Sequence, residues 1–185
     1  MASAFAHALV ALAMGKTIKN RELGWRELGL GAFCSVLPDF DIMGFYFGIQ
    51  YGDLWGHRGM THSILFAVLI AGSLVALWYR GRPATAMAGL CLYFFLCTVS
   101  HGVLDAVTDG GLGVAFFSPF DTTRYFFPVR PVLVSPIGIG EFFSEYGARV
   151  LANEAVWIGL PSLALFLLLR GIQRLWPAKA VAPPS

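Results

Sequence analysis

The chain has 185 residues, of which 57% are hydrophobic and 13% charged, with a formal net charge of +2 and a mean hydropathy of +0.67. A soluble domain carries about 25% charged residues, roughly twice this share, and 16 Phe with 5 Trp make more aromatic surface than a small soluble core hides. Composition therefore places the chain in a membrane, as one domain over residues 1–176 before a disordered tail at 177–185. A near-neutral chain without a continuous basic patch excludes nucleic acid as a partner.

In chain order, the first apolar segment covers residues 2–15. It is uncharged and rich in alanine, small residues that let membrane helices approach closely. A signal peptide would have a basic residue before the run and no histidine within it, so cleavage is not expected. A short apolar segment follows at 28–38. Residues 63–79 and 83–100 are uncharged spanning candidates, and residues 155–169 lie between Glu154 and Arg170. Each approaches the roughly 17–25 residues that cross a bilayer. The expected fold is all-α: a polytopic membrane helical bundle of about five helices. Lys16, Lys19, Arg21 and Arg26, then Arg80 and Arg82, then Arg170, Arg174 and Lys179 fall on one side of such a bundle. The positive-inside rule makes that side cytoplasmic. Arg124, Arg130 and Arg149 fall on the other, within a loop at 110–153 rich in Gly, Pro and Phe. So aromatic a loop is expected to fold back over the helix ends, because irregular backbone at membrane depth must be covered.

The three cysteines, Cys34, Cys91 and Cys97, lack CxxC spacing and read as buried small hydrophobes. The four histidines are more informative. His7 lies in the first segment; Asp39 and Asp41, in LPDFD, stand where the second segment is expected to end. His57 and His62, in GHRGMTHS, precede the third. His101 and Asp105 lie near the end of the fourth and Glu154 at the start of the fifth. Up-and-down parity brings these groups to one membrane face, the outer one, where random placement would scatter them. His101 and Asp105 are four apart and share a helix face, with Thr98 and Thr108 extending the polar stripe. Ionisable groups in a spanning segment are costly and face a cavity or a partner. Imidazole and carboxylate together suit zinc first, then manganese or iron. Each piece alone has a plainer reading: a satisfied polar pair for His101 and Asp105, a helix stop for LPDFD, an interfacial turn capped by Thr61, and a buried hydrogen-bonding His7. Asp109, Glu141, Glu145 and Glu154 are weaker ligand candidates.

The elements LPDFD, GHRGMTHS and HGVLDAVTDGG…SPFDTTRYFF, with an early helix histidine, resemble the membrane-bound metal-dependent hydrolases, known in some bacteria as LexA-binding inner-membrane hydrolases. The resemblance runs from His7 to about Trp157. The order His, Asp, His, HxxxD is also similar to the zinc phospholipase C and P1 nuclease group, which act on phosphoesters. The resemblance implies His7, Asp39, His62, His101 and Asp105 as metal ligands, with His57 or Asp41 either ligating or orienting a ligand. This chain lacks the further histidines that those enzymes place after HxxxD, which argues against a third metal.

The resulting expectation is a one- or two-metal hydrolase at the outer face of a bacterial inner membrane. Asp105 would be the bridge if two ions bind, and whichever of Asp39 and Asp41 does not ligate would serve as general base or fix a histidine tautomer. Arg124 would pair with a phosphate or a developing charge, or else snorkel at the interface. A site at the bilayer surface favours a lipid phosphoester or carboxylic ester as substrate. The rival expectations are a structural metal, a partner-binding role with LexA or another protein, and an ion transporter. One-sided clustering of the ligands argues against transport.

Overall fold

The computed structural model describes residues 1–18 and 23–175; Lys19, Arg21 and the tail expected at 177–185 lie outside them. Among the described residues every regular element is helical. Helix α1 (Ala4–Thr17) begins where Ser3 Oγ accepts from Ala6 N, a side-chain cap for an otherwise orphaned N–H. Helix α2 (Trp25–Val36) runs on into a 3-10 segment, Leu37–Phe47. The helical path thus passes through LPDFD instead of stopping there, because Pro38 stands in the first turn of the new segment, where no N–H is required of it.

Helix α3 (Ile64–Trp78) is capped by Ser63 Oγ, which accepts from Phe66 N, and α4 spans Ala84–Ala106. A short α5 (Ile139–Phe142) precedes α6 (Glu145–Glu154), which passes through a π turn (Ala155–Gly159) into α7 (Leu160–Leu175). The fifth segment therefore starts at Glu145, ahead of its apolar run, because Ser144 caps it by accepting from Gly147 N.

Trp25–Phe47, Ala84–Ala106 and Glu145–Leu175 are long and apolar enough to cross a membrane, while α1 and α3 are apolar but shorter. At about 1.5 Å per residue the two short helices reach a little over ~20 Å, against a hydrocarbon core of ~30 Å. No residue of α7 is buried, and Leu163, Leu165, Leu167, Leu168 and Ile172 all expose more than half of their surface. An apolar helix with no protein cover is stable only where lipid covers it. The molecule is an all-helical membrane bundle.

The interior is closed by small residues. Ala11 and Gly15 of α1, Gly31 of α2 and Ala67 and Ala71 of α3 are buried and bring their helices close to α4. Tyr93 of α4 is fully buried among them, donating to Ala11 O at 3.2 Å. Helices α1 and α7 run parallel: Ser3 meets Glu154 at one end and Gln173 donates to Thr17 O at the other. That second end carries the basic residues, with Lys16 Nζ 3.7 Å above the Trp25 ring and Arg26 over Tyr79.

The first end is covered by residues 107–138, irregular apart from the isolated bridges Thr108–Val132 and Val114–Tyr125. Phe127 N donates to Ala106 O, Ala115 N to Arg58 O and Ile64 N to Phe116 O. The aromatic loop is thus laid over the helix ends.

Candidate metal centre

His101 stands on the buried face of α4 and His62 closes a one-turn 3-10 segment, Met60–His62, just before α3. His101 Nδ1 lies 2.7 Å from Ser35 O, and a carbonyl only accepts, so Nδ1 carries the proton and Nε2 holds a lone pair. His62 Nδ1 lies 3.2 Å from Asp41 Oδ2, which fixes the same tautomer. The two Nε2 atoms then face each other at 3.0 Å. Two imidazole lone pairs meet there, and only a cation or a proton between them relieves the repulsion.

Two carboxylates complete the group. Asp39 Oδ1 is 3.3 Å from His101 Nε2 and 3.8 Å from His62 Nε2. Asp105 Oδ2 is 3.5 Å from His62 Nε2 and 3.8 Å from His101 Nε2. Ligands at ~2.0–2.2 Å from a tetrahedral ion stand ~3.3–3.6 Å apart; the five separations, 3.0–3.8 Å, bracket that range. Both Asp39 oxygens are buried without a hydrogen-bond partner, a costly arrangement unless another group satisfies them, and Asp105 Oδ2 has the Arg58 guanidinium 3.1 Å away. The donor set therefore fits a divalent metal.

The remaining predicted residues take distinct places. His7 stacks on His101 with ring centroids 3.8 Å apart, its Nε2 3.4 Å from Asp105 Oδ1. Both His7 ring nitrogens are buried without a hydrogen-bond partner. Asp41 sits behind His62, where Thr61 Oγ1 donates to its Oδ2 at 2.7 Å, Arg58 N donates at 3.2 Å and His57 Nδ1 approaches Oδ1 at 2.7 Å. Asp41, His57 and His62 also form a group that could hold an ion; at 2.7 Å Asp41 and His57 are hydrogen-bonded, and in that state they brace the His62 ring from behind.

Arg124 engages the backbone: its guanidinium donates to the carbonyls of His57 and Tyr51 at 2.8 and 2.9 Å and to Asp53 O at 3.3 Å. That makes it a clamp on the loop carrying His57. Of the weaker candidates, Glu154 binds Ser3, Asp109 accepts from Val134 N, and Glu145 pairs with Arg149 on the surface.

The sequence reading missed Arg58. Its side chain is fully buried, with Nε 3.1 Å from Asp105 Oδ2, and its terminal nitrogens donate to Gly110 O and Thr108 Oγ1 at 2.8 and 3.0 Å. Its backbone φ is +62°, a left-handed conformation that side chains other than Gly, Asn and Asp rarely adopt. The signal available was an arginine between the two histidines of GHRGMTHS, in a chain only 13% charged. Asp105 is held on its other oxygen by Ala2 N at 2.8 Å.

His62, in the turn just before α3, illustrates the electrostatics. Burial alone would lower its pKa, but the carboxylates of Asp105, Asp39 and Asp41 outweigh it and raise the value to about 10. Without a metal, His62 thus keeps a proton at neutral pH.

Fold and site together define a helical membrane protein with a buried histidine–aspartate centre. The chain belongs to the YdjM inner membrane protein family, which it matches over residues 1–178. It is 34% identical over 171 residues to the inner membrane protein YbcI of Escherichia coli (strain K12), covering 89% of this chain and 95% of that protein. No solved structure matches it.

Proposed function

We propose that this protein is a membrane-embedded metal-dependent hydrolase acting on a lipid phosphoester or carboxylic ester at the outer face of the inner membrane. The observation that carries the reading is the pair of Nε2 atoms facing each other at 3.0 Å, with carboxylate oxygens of Asp39 and Asp105 at 3.3–3.8 Å from them. His62, His101, Asp39 and Asp105 would hold the ion, with His7 beside Asp105. When bound, a divalent cation such as zinc supplies a Lewis acid and lowers the pKa of water at the site to about 7. Structural zinc sites favour cysteine; here Cys34 and Cys97 stay in the apolar core, and a carboxylate-rich set fits catalysis better.

The chain's own groups have assignable tasks. Asp41 and Ser35 O hold His62 and His101 with Nε2 inward. Asp39, whose second oxygen has no hydrogen-bond partner, can accept the proton of an attacking water. Arg58 offsets the negative charge of three clustered aspartates. The outer-face assignment rests on the basic residues at the opposite end of the bundle, and the hydrolase reading is further supported by the motif resemblance.

Burial favours a second reading. His7, Asp39, His62, His101 and Asp105 are each exposed by 4% or less, which suits a structural metal in a non-catalytic or partner-binding protein. Metal content of purified wild type, His101→Ala and Asp105→Ala, assayed beside hydrolysis of phosphodiester and carboxylester lipid analogues, separates the readings. Metal and hydrolysis lost together in both variants supports the enzyme. Metal without hydrolysis of any analogue leaves the structural role. A wild type that binds no metal even on replenishment defeats both.

A further inference from the structure

One apolar groove lies immediately beside the metal centre. Ile64, Leu65 and Val68 of α3 form one wall, Phe116, Phe117 and Phe120 of the loop the other, enclosing about 380 Å³. That is at the lower end of the roughly 300–1,000 Å³ typical of ligand clefts.

Three observations identify the occupant. The α3 wall is continuous with an exposed apolar surface, since Val68 and the adjacent Leu69 are half exposed on an apolar helix of the membrane bundle. The groove also holds one polar group: Ser118 is 1% exposed, and its Oγ is buried without a hydrogen-bond partner. A hydroxyl left so in an apolar wall loses its hydration without compensation, and a polar atom at the head of a bound chain would restore it. Finally, the groove abuts the centre. Ile64 N donates to Phe116 O two residues after His62, and a Cβ added at Gly102, next to His101, would stand 3.0 Å from His62 O and 3.1 Å from the Phe116 ring.

We propose that this groove holds one hydrocarbon chain of a phospholipid drawn from the surrounding leaflet, with Ser118 Oγ donating to an oxygen at the head of that chain. This rests on the hydrolase reading for its consequence: the substrate is a two-chain membrane lipid gripped by one chain, and a short water-soluble ester is turned over without the groove.

The test uses the full-length, metal-loaded protein in phospholipid nanodiscs containing a phosphatidylglycerol or phosphatidylethanolamine with a photoactivatable diazirine in one acyl chain. Wild type, Val68→Trp (which fills the groove) and Ser118→Ala are compared by mapping the cross-links, and by kcat/KM on the long-chain lipid and on a short-chain soluble analogue of the same ester. Cross-links should concentrate at residues 64–68 and 116–120. Val68→Trp should reduce them and lower long-chain kcat/KM by about tenfold or more, the scale of a blocked apolar subsite. Short-chain turnover and metal content should stay unchanged. Ser118→Ala should raise KM for the long-chain lipid while sparing the short one. Cross-links spread evenly over α3, α4 and α7, or left unchanged by Val68→Trp, overturn the groove, as does an equal loss on both substrates with metal retained. If no substrate is turned over, the hydrolase reading fails and the cross-link map alone decides whether the groove binds lipid.

Discussion

At the candidate site, each inward-facing Nε2 is aimed by a partner on the far side of its ring. His62 Nδ1 rests on Asp41 and His101 Nδ1 on Ser35 O. Asp41→Asn keeps the shape but weakens the acceptor, and such partners are worth about 10–100-fold in metal affinity. We therefore expect a measurable but weakened ion in Asp41→Asn and none in His101→Ala, read by competition with a metal chelator of known affinity; equal affinity in Asp41→Asn and wild type would remove Asp41 from that role. The same cluster sets a pH dependence. In chelator-treated protein His62 is raised to about 10 by its carboxylates, above its unfolded value of about 6.5. Its contribution to stability is then fully present below about pH 6.5 and is lost as pH rises through about 10. Thermal unfolding of the stripped protein should move to lower temperature over that window. Metal-loaded protein, in which an ion replaces the proton, should not share the slope. A stripped protein with no decline there would show that His62 is not protonated by this network. The residues of the cluster were legible because charge inside an apolar chain is rare and because His101 and Asp105 share a helix face. Ser35 O and Ala2 N were not, since backbone groups leave no mark on residue identity. Arg58 stands within GHRGMTHS, but its backbone takes a left-handed turn that spacing does not reveal.

Helix packing determines whether those donors meet at all. Gly31 of α2 faces Tyr93 so closely that an added Cβ would stand 2.3 Å from its hydroxyl oxygen and 2.5 Å from the ring carbon bearing it. The ring is fully buried and bonded to Ala11 O, so it has nowhere to move. Gly31→Ala should destabilise the bundle by about 1–3 kcal/mol, as overpacking does, whereas Gly29→Ala, with open space around its Cβ, should not. Thermal unfolding in detergent compares the two, and equal melting points would mean that α2 and α4 are not held at this spacing in solution. Apolar runs located the five segments, but their ends were set by features that hydropathy does not register. Pro38 starts a 3-10 segment, so Asp39 and Asp41 project from a tighter coil than an α-helix, and Ser144 starts the last helix within a polar stretch.

Across the whole molecule, residues 151 positions apart close the bundle: Ser3 N and Oγ each donate to a Glu154 oxygen at 2.5 Å. This ties the start of α1, which carries His7 and stands next to Ala2 on Asp105, to the π turn in the last helix. The hydropathy pattern placed Glu154 at the correct end of the bundle, and its chemistry made it a weak ligand candidate. Only the three-dimensional path shows that it binds the chain's own beginning. Glu154→Ala leaves two buried donors without an acceptor, at a cost of about 1–3 kcal/mol for each unsatisfied group. Because α1 would then be free to shift, metal affinity should fall along with the melting temperature, although Glu154 is no ligand. Glu145→Ala supplies the contrast: its pair with Arg149 is exposed on both sides, and such pairs contribute about 0–1 kcal/mol, so neither quantity should move beyond that. Should Glu154→Ala lower the melting temperature but leave chelator competition unchanged, the closure would hold the fold without positioning the metal centre, and His7 would have to be placed by its stacking on His101 alone.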